Sequence, residues 1–394
     1  MRPSPLDVRR ARAETPGCER VLHLNNAGAS LMPSCVIEAV GAHLRREAEV
    51  GGYEAEAEAA PRLAEVYDHA ARLLGCAPDE VAVLDSATRA WDLAAHSLPL
   101  APGDRILTAR SEYASNYIGL LQLARRTGAT LEVLPDDETG QLDLAALERQ
   151  LDERVKLVAL THVPTNGGLV QPAAEVGRLA RSVGATVLLD ACQSAGQLPL
   201  DVRELGCQLL VAAGRKYLRG PRGTGLLYVE RALCARLEPI FLDLHGATWV
   251  SPERYDVNPG ATRFETWESN VGAKLGLGAA LAYALDFGPE PIWTRISVLG
   301  RALRERLTEL PDVAVHDLGR APCGLVSFTV AGSSPDALCA RLRQKGINVS
   351  VSRRSSTLLD MQARGLPDLL RASVHYYNTE EELERFVRAL SEAR

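Results

Sequence analysis

The sequence of 394 residues lacks any apolar run approaching the ~20 residues that a membrane-spanning helix needs. Arginines at 2, 9, 10, 12 and 20 crowd the N-terminus, but no apolar segment follows them, so this stretch does not read as a signal peptide. There is no excess of basic charge: 44 Lys and Arg stand against 50 Asp and Glu, a net charge of −6, which argues against nucleic-acid and anionic-membrane partners. The eight cysteines, at 18, 35, 76, 192, 207, 234, 323 and 339, form no CxxC pair. Disulfide scaffolds and zinc ribbons are therefore disfavoured and no metal site is expected. A reducing cytoplasm suits these thiols, most of which read as small buried hydrophobes. Repeats and low-complexity tracts are also missing. What remains is ordinary globular composition, 46% hydrophobic and 24% charged, long enough for two domains.

From about residue 73 to 230, apolar runs alternate with helical stretches. The runs cover residues 81–84, 105–108, 131–134, 155–162, 186–190, 208–212 and 225–229. Continuous apolar strands separated by helices predict an α/β fold with a mainly parallel seven-stranded sheet covered on both faces, and a ligand site at the carboxyl ends of the strands. After Phe287 the Gly-Pro-Glu-Pro punctuation and a long helix lead to short strands at 313–317, 325–330, 347–351 and 370–377. A last helix starts at Thr379, with Glu382 completing a capping box. The expected organisation is an N-terminal arm (1–20), a large domain (21–287) and a small C-terminal α+β domain (288–394), with the N-terminal part of the chain packing beside the small domain and the binding cleft between the two domains.

The segment from Val187 to Gly225 carries the chemistry. Asp190 closes one apolar strand and Lys216 follows another, on a turn rich in glycine and arginine (Arg215, Arg219, Arg222). A lysine there can form a Schiff base with an aldehyde cofactor, and a carboxylate can keep a pyridinium nitrogen protonated. Gln193, one turn beyond Asp190, can donate to a phenolic oxygen. Ser86, Ala87 and Thr88 follow a strand and open a helix, where backbone N–H groups and hydroxyls can cradle phosphate. Arg371 interrupts the apolar pattern of a predicted strand, and its guanidinium fork suits a substrate carboxylate.

These residues resemble the class V aminotransferase group of fold-type I pyridoxal 5'-phosphate (PLP) enzymes, over nearly the whole chain from Leu22 to Glu381. The resemblance implies PLP on Lys216, Asp190 at the pyridine nitrogen, Gln193 and Asn166 at the phenolic oxygen, and the phosphate on Ser86, Ala87 and Thr88. It also implies Tyr113 stacked over the ring and Arg371 on the substrate carboxylate, with Asn26, Ala27 and Arg353 on the substrate side. A homodimer with its site near the interface is implied as well. Cysteine desulfurases of this group carry a nucleophilic cysteine in a loop that here reads 350–358 without one. Where those enzymes have Ser-x-His before the lysine, this chain has Ala213-Gly214-Arg215, and Arg215 is expected to take over a phosphate contact. Glu268 stands near the threonine with which the neighbouring subunit of those enzymes contacts the phosphate, a contact a carboxylate does not make directly, and Trp267 is expected at the substrate entrance. Gly-Arg-Lys, Phe-Glu-Thr-Trp-Glu and Ser-Val-His-Tyr-Tyr-Asn-Thr look most like ergothioneine-pathway C–S lyases and related lincosamide-pathway enzymes of S-cysteine conjugates. The expectation is β-elimination from an S-substituted cysteine or its sulfoxide to a sulfur product, pyruvate and ammonia. An epimerase, an aminotransferase, a decarboxylating deaminase and a non-catalytic PLP binder remain as alternatives.

Overall fold

In the computed structural model, which describes residues 6–393, seven strands form the main sheet among the described residues. They are β1 (Val81–Leu84), β2 (Arg105–Ala109), β3 (Thr130–Leu134), β4 (Val155–Thr161), β5 (Thr186–Asp190), β6 (Leu209–Ala213) and β7 (Gly225–Val229). Their spatial order is β1-β7-β6-β5-β4-β2-β3, and only β7 runs against its neighbours. The architecture is α/β with a mainly parallel sheet, as the alternating runs predict. The cause is visible strand by strand. Successive residues feed opposite faces: Val187 and Leu189 enter one core cluster and Leu188 the other. Helices cover both faces, so neither side tolerates polar alternation. β3 departs from this pattern, because it is the edge strand and most of its length is exposed or half-buried.

A second, four-stranded antiparallel sheet contains Val313–Val315, Leu325–Val330, Leu369–Ser373 and Ser350–Ser352. The run expected at 370–377 ends as a strand at Ser373, because Ser373 N already bonds Leu24 O and the chain turns there. The last helix, Glu380–Ala393, has the expected cap: Glu382 N bonds Thr379 Oγ1 at 3.3 Å and Thr379 N bonds Glu382 Oε2 at 3.2 Å. The N-terminal segment lies against this second sheet. Leu22–His23 pairs in parallel with Ile347–Asn348, and Arg12 Nη1 bonds Tyr377 O at 2.8 Å and Glu382 Oε1 at 2.9 Å. Residues 1–5 of the expected arm lie outside the described residues. No helix among the described residues is long and apolar enough to cross a membrane, and none of their His, Cys, Asp and Glu side chains cluster as a metal site.

Candidate active site

β5 and β6 are hydrogen-bonded neighbours, with Asp190 opposite Val211. Asp190 therefore emerges at the carboxyl edge beside the turn that carries Lys216. The two loops touch at Gly196 (φ +83°), where a Cβ would lie 2.5 Å from the Tyr217 carbonyl carbon. Only a residue without a side chain allows that approach. The resulting cavity is lined by Ser86, Ala87, Thr88, Tyr113, Asn116, Thr161, Val163, Thr165, Asp190, Cys192, Gln193, Ala213, Arg215 and Lys216.

Each wall has an identifiable origin. Helix α1 (Ala87–His96) begins at the N-cap Ser86, whose Oγ accepts from Arg89 N at 3.2 Å. Its first N–H groups face the cavity edge as an anion site. β7 packs so closely behind this turn that a Cβ on Gly225 would sit 2.5 Å from Ala87 N. Helix α2 (Ala114–Thr127) begins just after Tyr113 and brings Asn116 inward. Asp190 is buried and holds two donors: Cys192 N on Oδ1 at 2.8 Å and Asn116 Nδ2 on Oδ2 at 2.7 Å. Burial lowers the Lys216 ammonium below its ordinary pKa, with Asp190 opposing, which favours the neutral, nucleophilic amine. Buried His162, on the same strand edge, is pushed down to about 4 and bonds Ser194 Oγ through Nδ1 at 3.0 Å.

Several expected site residues stand elsewhere. Asn166 does not line the cavity: its Nδ2 donates to Arg353 O at 3.0 Å and its Oδ1 accepts from Ser352 Oγ at 2.5 Å, so it fastens the 352–353 segment instead. Arg353 is not a free cation for a substrate tail, because Asp336 and Asp368 pair with it at the surface at 2.6 and 2.9 Å. Asn26 is fully buried and occupied by Ser373 O at 2.7 Å and Tyr377 Oη at 2.5 Å, so its side chain joins the N-terminal segment to the second sheet. Ala27 lies under the wall, where its carbonyl accepts from Gln193 Nε2 at 3.0 Å. That bond reverses the expected direction of Gln193, leaving its buried Oε1 unpartnered. Arg219 and Arg222 do not face a ligand either. Arg222 is exposed, and Arg219 is buried among Tyr377, Tyr376 and Tyr283. Of the three arginines near Lys216, Arg215 alone lines the cavity. Glu268 and Trp267 are exposed and lie outside the Lys216 cavity; Glu268 lines a neighbouring depression together with Asp85 and Arg89.

Arg371 sits behind Thr165, donating to its carbonyl at 3.0 Å and its hydroxyl at 2.6 Å. Its buried Nε has no partner, and no carboxylate pairs with it among the described residues. Burial lowers its pKa from the ordinary arginine value. Sequence reasoning passed over Glu112, Asn116 and Cys192. The last was detectable from its place between Asp190 and Gln193 in a segment already singled out. Glu112 and Asn116 flank Tyr113 without any local motif that marks them.

Residues 22–386 match the family described as aminotransferase class V. The chain belongs to the class V aminotransferase family. A probable cysteine desulfurase of Xylella fastidiosa is 32% identical, with 100% of this chain and 97% of that protein aligned. One from Mycolicibacterium paratuberculosis is 31% identical over 96% of this chain, which spans only 56% of that longer relative. Among solved structures, the cystine C–S lyase C-DES in complex with its product cysteine persulfide has a TM-score of 0.86 at 27% identity, covering 96% of this chain and 99% of that one. A lysine-to-alanine variant of C-DES, with glycine linked covalently to its PLP cofactor, gives a TM-score of 0.87 at 26% identity, covering 97% of this chain and 99% of that one. The cofactor of this family member is PLP. The present residues fit it. A close-packed helix start offers N–H groups, an amine favoured in its neutral form shares the cavity with a carboxylate, and the buried Nε of Arg371 has no partner among the described residues.

Proposed function

We propose that this protein is a PLP-dependent C–S lyase that converts an S-substituted cysteine and water to a thiol, pyruvate and ammonium. With a cysteine S-oxide the leaving group is a sulfenic acid. The observation that carries this reading is the thiol inventory. Segment 350–358 holds no cysteine, and half-buried Cys339 is turned to Val349 O, with Sγ at 3.4 Å. Cys192 is the one cysteine lining the cavity, and burial, with Asp190 beside it, pushes its thiol well up. A desulfurase needs a thiolate to take sulfur from its substrate; this site offers none, so the sulfur leaves with the substrate's own substituent.

Bound PLP supplies an aldehyde that captures the substrate amine and an electron-poor ring that accepts the electron pair released when Cα–H breaks. The residues provide the rest. Lys216 would carry the cofactor, and its freed amine is placed to take the Cα proton at Nζ. Asp190 would hold the proton on the ring nitrogen. Ser86, Ala87, Thr88 and Arg215 would hold the phosphate, and Tyr113 would lie against the ring. Arg371 binds the substrate carboxylate and so fixes the direction of Cα–H. The division into an arm (1–20), a large domain (21–287) and a small domain (288–394) places Arg371 and Lys216 on different domains, across one cleft. The protein acts as a homodimer, supported by the exposed aromatic stretch that includes Trp249 and Trp267.

The deciding assay incubates the PLP-loaded protein with cystine, an S-alkyl cysteine, a cysteine sulfoxide and free cysteine, and quantifies pyruvate, ammonia and alanine. Pyruvate and ammonia in equal amounts are expected, with Lys216→Ala inactive and lacking the visible band of the lysine-linked cofactor. Alanine as the main product from free cysteine would overturn the lyase reading in favour of desulfuration.

A further inference from the structure

Behind the cavity wall lies a carboxyl group to which the mechanism above gives no task. Glu112 is 4% exposed and forms no ion pair among the described residues. It collects neutral donors instead: Tyr113 N and Asn116 Nδ2 at 2.9 Å, Thr108 Oγ1 and Thr161 N at 3.1 Å, and also Thr161 Oγ1. Asn116, equally buried, uses the same NH2 group to reach Asp190 Oδ2 at 2.7 Å. One amide thus bridges two acids. Its two N–H donors point at Glu112 and Asp190; turned over, it would aim a carbonyl at two carboxyl groups. Glu112 therefore fixes which end of Asn116 faces Asp190.

We infer that Glu112 is a positioning residue for the cofactor acid: through Asn116 it holds Asp190 as a hydrogen-bond acceptor for the ring nitrogen, and through Tyr113 N it sets the aromatic wall of the same site. The inference rests on the reading that Asp190 faces that nitrogen. The other titratable groups around Asp190 come from three elements: His162 after β4, Cys192 on the loop after β5, and Lys216 with Arg215 after β6. Burial holds His162 and Cys192 neutral and pushes the Glu112 carboxyl up as well, but all five hydrogen bonds of Glu112 come from donors, which suits a carboxylate and makes it the side chain placed to add negative charge behind Asp190. A negative charge behind the ring nitrogen favours that nitrogen's protonated form.

The test compares wild type, Glu112→Gln, Asn116→Ala and Asp190→Ala, each loaded with PLP. The pH midpoint of the visible band and the PLP dissociation constant are the readouts. A ring nitrogen held less firmly in its protonated form withdraws less charge, which raises the basicity of the lysine linkage. Glu112→Gln and Asn116→Ala are expected to move the midpoint upward, in the direction of Asp190→Ala but by less, on the order of half a unit, and to weaken PLP binding roughly threefold. Glu112→Asp should recover part of the shift. If Asp190→Ala moves the midpoint while Asn116→Ala and Glu112→Gln stay at the wild-type value, the role of Glu112 is overturned and that of Asp190 stands. If none of the three moves it, the Asp190 reading itself fails. Should Glu112→Gln not fold, Asn116→Ala decides alone, since it cuts the bridge and leaves Glu112 in place.

Discussion

A buried guanidinium without a carboxylate is costly to a fold, because desolvation of the charge is not offset by an ion pair. Arg371 is in that state: two contacts to Thr165, an orphaned Nε and, among the described residues, no acid. Such a group is retained when something outside the chain completes it, and the proposed substrate carboxylate would do so with charge-assisted bonds. Replacing Arg371 by Leu should therefore have opposite effects on two measurements. In pyruvate-release kinetics, kcat/KM should fall by roughly 30- to 160-fold, corresponding to about 2–3 kcal/mol of bonds to a charged partner. In urea unfolding of the cofactor-free protein, stability should stay level or rise by about 1 kcal/mol. A destabilised variant with unchanged KM would make Arg371 a structural residue. Arg219 provides the contrast. It is the one non-glycine residue with positive φ among the described residues (63°), and it is fully engaged. It donates to Leu31 O and Tyr376 Oη at 2.8 Å and to Thr15 Oγ1 at 2.5 Å, and its guanidinium lies 4.6 Å from the centre of the Tyr377 ring. These contacts over-determine a strained backbone three residues beyond Lys216 and hold the lysine turn in place.

At the scale of elements, the phosphate cradle depends on how closely β7 approaches the start of α1. Gly225→Ala would put a methyl group 2.5 Å from Ala87 N and 2.5 Å from the Ser86 carbonyl carbon, and backbone on both sides has little room to give. The expected result is an intact circular dichroism spectrum with PLP affinity weakened about tenfold or more, measured by fluorescence titration of the cofactor-free protein. Wild-type affinity in this variant would remove the α1 N-terminus from the phosphate site. This element also shows what the sequence made legible. The bounds of β1, β5 and β7 follow directly from apolar runs ended by polar or glycine residues, and Asp190 and Lys216 fall on adjoining strand ends because the parallel pattern orders them so. What stayed hidden depends on contacts distant in sequence. Asn166 resembles a cavity residue locally but is claimed by Ser352 and Arg353, 186 and 187 positions away. Arg353 reads as an available cation until the fold brings Asp336 and Asp368 to it. The Glu112–Asn116–Asp190 bridge joins α2 to β5 across 74 positions, a relation no spacing rule encodes.

At the scale of the whole molecule, several of the most exposed apolar side chains belong to the stretch 241–267. Phe241, Leu244, Trp249 and Trp267 are 69, 66, 79 and 54% exposed, and the hairpin Ala247–Ser251/Arg254–Val257 adds Tyr255. Aromatic surface of this extent is the kind that a second copy of the chain would cover, in line with the proposed homodimer. Its position matters for catalysis. Phe241, Thr266 and Glu268 also line a cavity of about 310 Å³ that shares Asp85 and Arg89 with the turn leading into the phosphate cradle. A second copy seated on this surface would thus press on the cofactor end of the site. Trp249→Asp should shift the protein from dimer to monomer in sedimentation velocity, because one carboxylate at the centre of an apolar contact is desolvated without a partner. Pyruvate release should fall with the dimer fraction and recover as protein concentration is raised. A monomeric variant with full activity at every concentration would show that each chain completes its own site. A variant that stays dimeric would place the contact elsewhere, away from the hairpin.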